Sequence, residues 1–220
     1  MPDGDIEQSS HLTAALTAEN ASTRLRAALA IGSNPGPGYL DALITRCAIE
    51  PDFFVRDMLT WALTRLPPEI VVPKLLAELQ SDVAQARSQA LHTLSKIKNR
   101  RTFEAITPSL LADRDDDVAR SAWRAAVILV PEEHKSALAE HLAGQLGRGD
   151  RHVQLSLSRA LVALGADVIE PFLRPAMASE VAAVRAHATA TERLLSDPHA
   201  GADLAVDEAR RQFALKDRPA

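Results

Sequence analysis

Two Glu-His pairs, Glu133-His134 and Glu140-His141, come nearest to metal chemistry in this chain. Their histidines stand seven apart, so both fall near one face of a single helix. A closed metal site draws ligands from several converging segments, and a lone helix does not supply them. These pairs therefore read as a solvated charged face, and no metal or other cofactor is expected. The single cysteine, Cys47, follows Leu40, Leu43 and Ile44 at helical spacing, which marks a buried small hydrophobe and not a reactive thiol. Serines are plentiful, but no Ser-His-Asp arrangement shows in their spacing. The most basic run is Lys96-Ile-Lys-Asn-Arg-Arg101, which, with Trp61 and Trp123, is the best candidate for nucleic-acid contact. It lies at the end of a predicted helix, where cations meet the negative end of the dipole and stay hydrated. The formal charge of −4 and pI ≈ 6.0 argue against a protein whose main work is neutralising phosphates.

The residues that recur most regularly are Arg and Asp. An apolar residue precedes Arg at Leu25-Arg26, Val55-Arg56, Ala86-Arg87, Ala119-Arg120 and Val184-Arg185, with Val153-Gln154 filling the remaining slot. The steps are 30, 31, 33, 34 and 31 residues, a period that belongs to stacked units. Counting from the Arg, offset 3 carries Leu29, Leu59, Ala90, Trp123, Leu157 and Ala188, and offset 7 carries Leu63, Leu94, Val127 and Leu161. Offset 10 carries Leu66, Ile97, Val130, Leu164 and Leu195. These offsets share one side of a 3.6-residue helix. A second apolar segment precedes each such helix, at 39–49, 69–79, 102–112, 131–146 and 168–178. Two helices per period make a helical hairpin repeat, and strand-like alternation is absent, so the predicted class is all-α.

Three features resemble the HEAT repeat family, of the bacterial PBS-lyase-like kind. They are a Pro in the first helix (Pro73, Pro108, Pro171), an Asp in the turn (Asp52, Asp82, Asp116, Asp150), and the apolar-Arg pair opening the second helix. The resemblance covers roughly residues 10 to 215 and implies an α-solenoid of about six hairpins with bent first helices. It departs from the family pattern at Gln154, at Trp123 and in a degenerate first unit. Because Arg56, Arg87, Arg120 and Arg185 recur with the turn Asp at every step, they read as a structural ladder of ion pairs and helix caps, not as catalytic groups. Among HEAT-like enzymes, deoxyhypusine hydroxylase uses His-Glu pairs, and this chain has no His-Glu dipeptide. Phycobilin lyases share the repeat, but the sparse aromatics mark no tetrapyrrole pocket. The expectation is thus a chain that is not an enzyme.

In a HEAT stack the second helices line the concave surface. The positions expected to face a partner there are Trp61, Leu91, His92, Arg124, Ile128 and Arg159, a mix of aromatic, Arg and apolar groups suited to protein recognition. The function this implies is a scaffold or adaptor holding a protein or peptide in the groove. The alternative is a DNA-binding protein resembling the alkylation-repair glycosylases. The acidic start MPDGDIEQSS lacks the marks of a signal peptide, and no apolar run approaches the ~20 residues of a membrane helix, so a cytoplasmic protein is expected. The predicted organisation is a disordered segment over 1–8, one solenoid domain over 9–215 and a frayed tail over 216–220.

Overall fold

Capping chemistry in the turns sets where the helices begin. In the computed structural model, which describes residues 10–197, Asn20 accepts hydrogen bonds from the backbone N–H of Ser22 and Thr23 and opens α2 (Ala21–Ser33). Asp52 accepts from Val55 at the start of α4 (Phe53–Thr64), and Asp150 accepts from His152 and Val153 at the start of α10 (Arg151–Leu164). Asp115 does the same for Asp117 and Val118 at α8 (Asp116–Leu129). Each satisfies amide donors that the helix itself leaves unpaired. The cap of α8 is therefore Asp115, one residue before the expected Asp116. At α6 (Ala84–Ile97) no side chain caps the helix: the N-cap residue is Val83, whose N–H donates to the Ser81 hydroxyl in the turn, and Asp82, expected in the capping role, is exposed.

The first helices of the hairpins follow the prolines. After a helix over 10–15 (α1), they are α3 (Leu40–Ile49), α5 (Pro68–Glu78), α7 (Pro108–Leu111), α9 (Lys135–Ala143) and α11 (Ala166–Met177). Pro73 lies inside α5, and Pro171 and Pro175 lie inside α11. Pro108 does not bend a helix. It starts the short α7, after a 3₁₀ segment over Arg100–Ala105, because a missing N–H costs nothing at a helix start. The last second helix is α12 (Ala182–Ser196).

The chain divides after Leu129 into two compact units. In the first, α2, α4, α6 and α8 pack in succession, with α3 against α4, α5 and α6 and α7 against α8. In the second, α10 packs on α12 and α9 on α11. Each unit is a run of stacked helical hairpins, and no strand occurs among the described residues, so the fold is the expected all-α solenoid class. The cores are rows of leucines, including Leu59, Leu63, Leu91 and Leu94, each contributing roughly 1.5–3 kcal/mol by burial. Ala119, Ala122, Ala125 and Ala126 are fully buried on α8, and their small side chains let α6 approach closely. Trp123 is buried in the row at offset 3 and donates from its indole nitrogen to Leu111 O at 2.8 Å. Among the described residues no helix is long and apolar enough to cross a membrane. The expected head over 1–8 and tail over 216–220 lie outside the described residues.

The recurring Arg side chains donate chiefly to carbonyls. Arg56 donates to Glu50 O and Pro51 O at 2.9 and 2.8 Å, Arg87 to Ser81 O at 2.8 Å, and Arg185 to Ser179 O and Glu180 O. Each reaches back five or six residues to the turn that closes the preceding helix. Gln154, where the Arg series breaks, donates to Gly149 O, five residues back, at 3.2 Å. Carboxylates enter more selectively than expected. Arg87 pairs with Asp113 of the following hairpin, with Nε at 3.0 Å and Nη2 at 3.1 Å, and Arg120 pairs with Asp117 of its own helix at 3.0 Å. Asp52 and Asp150 act as caps.

The first unit corrects the register. Arg24, not Arg26, donates to the carbonyls five and six residues back, Glu19 O and Ala18 O, at 2.6 and 2.8 Å. Counted from Arg24, offset 3 is Ala27, which is 3% exposed, whereas Leu29 is 48% exposed. The apolar residue before Arg26 mimicked the anchor, because the true pair is Thr23-Arg24. Arg24 also closes a buried network: its Nε and Nη2 each donate to Glu50 at 2.7 Å, and Arg46 Nε donates to the same carboxylate at 2.7 Å.

Candidate partner-binding cleft

A cleft of about 830 Å³ lies within the first unit, walled by α4, α6 and α8. Ser88, one residue past Arg87, hydrogen-bonds with the Ser121 hydroxyl at 2.9 Å and donates to Asp117 O at 3.3 Å, which ties the early turns of α6 and α8 together. On the other side Gln85 donates to Cys47 O and Glu50 O at 2.9 and 2.8 Å, fixing the start of α6 against the turn before α4. The side chains between these ties form the floor: Ser88, Gln89, His92 and Lys96 from α6, Ser121 and Arg124 from α8, and Asp57 from α4.

Charge is unevenly distributed along the cleft. Asp115 and Asp117 lie at its α8 entrance, where Arg120 pairs with Asp117, and Arg56 is engaged with turn carbonyls. Further along, His92, Lys96 and Arg124 line the cleft together with Asp57. Burial first, then the charges of Lys96 and Arg124, push His92 below its ordinary value, with Asp57 pulling the other way. Burial and the neighbouring Arg120 likewise lower Arg124. His92 is thus held neutral between two cations at physiological pH.

Phe53 and Phe54 are 65% and 69% exposed, with ring centroids 5.6 Å apart in an edge-to-face pair. Arg56 lies 6.0 Å from the centre of the Phe53 ring, within cation–π range. Phe53 lines the cleft. Sequence reasoning missed both phenylalanines because they precede the Arg anchor, outside the offsets used to find outward positions. Two adjacent aromatics directly after a capping Asp were the available signal.

The residues expected to face a partner separate into three groups. His92 and Arg124 line the cleft together. Trp61 and Leu91 serve packing instead. Leu91 has no exposed surface, because a one-residue error in helical register carried it inward. Trp61 is half-buried with its ring over Gly32, where a Cβ would stand 2.2 Å from Cζ3, so the indole occupies space that only glycine leaves open. Gly32 lies within α2, which runs through it to Ser33. Ile128 is 40% exposed, one turn beyond Arg124 on α8, and does not line the cleft. Arg159 is exposed on α10 in the second unit.

The remaining candidates behave as surface and core groups. His134 and His141 are exposed, His141 Nδ1 contacts Ala137 O at 2.8 Å, and no metal-binding group of three or more His, Cys, Asp or Glu occurs among the described residues. Cys47 is buried, and burial together with Glu50 pushes its thiol up to about 12, so it is protonated and unreactive at neutral pH.

No known family profile matches the sequence, and no curated protein matches it. A similar solved structure is the complex of CpcE and CpcF of phycocyanin lyase from Nostoc sp. PCC7120, with 20% identity, 85% of this chain and 76% of that chain covered, and a TM-score of 0.48. That neighbour is a lyase, which corrects the expectation that the chain is not an enzyme: the lack of a recognisable catalytic arrangement in a helical repeat does not exclude one.

Proposed function

We propose that the α4–α6–α8 cleft receives an extended or helical segment of another protein, and that the chain serves as a scaffold or adaptor. The observation that carries this reading is the combination in one concavity of the exposed Phe53, small polar floor residues and charges of both signs. Exposed aromatic anchors beside a polar groove are the composition of recognition surfaces. The floor runs along α6 from Ala84 to Lys96, a length of about 18 Å at 1.5 Å per residue, which accommodates five or six extended residues. Asp57, Asp115 and Asp117 line the same cleft and would repel a phosphate backbone, so the composition favours protein over nucleic acid.

Panning the full chain against a displayed library of random peptides tests the reading. Binders should weaken on Phe53→Ser, which removes the rim anchor, and on Ser121→Trp, which fills the floor. If both variants fold and bind every selected peptide as well as the parent does, the cleft is not the binding site.

A further inference from the structure

The cleft contains positive charge that the fold itself does not neutralise. Among the described residues Arg87 and Arg120 have carboxylate partners and Arg56 has turn carbonyls, but Lys96 and Arg124 have neither. They converge from two helices. His92 and Lys96 are one turn apart on α6, and Arg124 faces them from α8. Holding like charges close together costs free energy, and an anion placed among them recovers it. Around His92 the two positive charges of Lys96 and Arg124 are opposed by the single carboxylate of Asp57 on α4.

Resting on the cleft as a protein-binding site, we propose that His92, Lys96 and Arg124 form a carboxylate seat for an Asp or Glu side chain of the bound segment. Arg124 supplies a planar fork that can hold a carboxylate through two parallel hydrogen bonds, and Lys96 adds a point charge. His92 donates one further hydrogen bond from its ring. A side chain fits the seat better than a chain terminus, because the floor continues from the seat toward Phe53 and a segment lying along α6 passes over it. The acidic entrance at Asp115 and Asp117 sets polarity: the segment lies with its acidic residue toward the Lys96 end.

The probes are peptides recovered from the panning, synthesised with acetylated and amidated ends so that side chains carry the only carboxylates, and titrated against the full chain. Amidated peptides should bind, and replacing their Asp or Glu by Asn or Gln should weaken binding about tenfold or more. Arg124→Gln should cost the same factor, with little further loss when both changes are combined, the signature of a direct pair. Lys96→Gln should weaken binding and flatten its salt dependence. Both substitutions lie on exposed side chains, and unchanged thermal melting certifies that they fold. If amidation alone abolishes binding, a chain terminus occupies the site and the side-chain seat is wrong. If Phe53→Ser weakens binding while Arg124→Gln and Lys96→Gln leave it unchanged, the cleft reading stands and the seat falls. If none of the three has any effect, both fall.

Discussion

Glu50→Gln tests how the first unit is held together. The Glu50 carboxylate has no exposed surface and receives four donors: Nε and Nη2 of Arg24 at 2.7 Å each, Nε of Arg46 at 2.7 Å, and the Asp52 N–H at 2.9 Å. Burial pushes its acidity toward the neutral form, but the hydrogen bonds from Arg24 and Arg46 outweigh it and bring the carboxyl from 4.5 down to about 2. At about 1.4 kcal/mol per tenfold change in proton affinity, that difference amounts to about 3 kcal/mol. Leaving Arg24 buried without its counter-charge costs about 3–5 kcal/mol by comparison with other buried pairs, so the two figures agree. The neutral amide keeps the shape and loses the charge. In a chain of this size about 3 kcal/mol lowers Tm by about 10 °C. Differential scanning calorimetry at neutral pH should show that shift in the transition of the first unit. Because the folded carboxyl is the stronger acid, its stabilisation is complete above 4.5 and is lost as pH falls through about 2. The gap between parent and variant should therefore close across that window. A Tm within about 2 °C of the parent at neutral pH would refute the network as a stabilising element.

Three further outcomes follow from named contacts. In the second unit Gly147 N–H donates to His187 Nδ1 at 3.0 Å, while Nε2 faces Gln154 O at 2.9 Å and Ser158 Oγ at 3.1 Å, so the buried ring is neutral with its proton on Nε2. Burial pushes His187 below its ordinary 6.5. The folded state thus binds the proton more weakly than the unfolded one, and stability should be complete above 6.5 and decline as pH falls below it. Thermal melts of parent and His187→Gln against pH should converge on acidification; parallel curves would dismiss the effect. Gln154→Arg should preserve or slightly raise Tm, and Gln154→Ala should cost about 0.5–1.5 kcal/mol in urea unfolding, since a single hydrogen bond to Gly149 O is lost. Gly32→Ala should destabilise by about 1–3 kcal/mol, because the new Cβ would collide with the Trp61 ring, and Trp fluorescence should shift with it; unchanged emission and stability would show that the indole moves aside freely.

The repeat made the fold legible, because offsets 3, 7 and 10 from Arg56, Arg87 and Gln154 are positions that pack and packing follows period. Leu59, Leu63 and Leu66, Ala90 and Leu94, and Leu157, Leu161 and Leu164 are all buried. Legibility failed where two registers compete locally. Leu25-Arg26 and Thr23-Arg24 are both plausible helix openings, and only the carbonyl contacts of Arg24 decide between them. The cleft was half legible: His92 and Arg124 were found as outward offsets, but Leu91, next to His92, lies across the boundary between faces. Phe53 and Phe54 were hidden because the repeat is silent about residues before its anchor. Glu50 was hidden because its two arginine partners, Arg24 and Arg46, converge only after α2 and α3 are folded together.

Gln154 shows what the repeated Arg is for. A neutral amide takes the slot and still reaches Gly149 O, so the shared task is donating to the carbonyls that end the preceding helix, and charge is an addition to it. That addition is used at chosen seams: Arg24 reaches Glu50 and Arg87 reaches Asp113, each joining one hairpin to the next. Between those seams, where α6 meets the turn before α4, the tie is the uncharged Gln85. A stack whose regular positions are satisfied by backbone carbonyls does not need Lys96 or Arg124 for its own stability. Cations retained in a cleft without a structural partner are where a ligand can add the missing charge, and this is why the proposed function is placed on the irregular positions more than on the repeat.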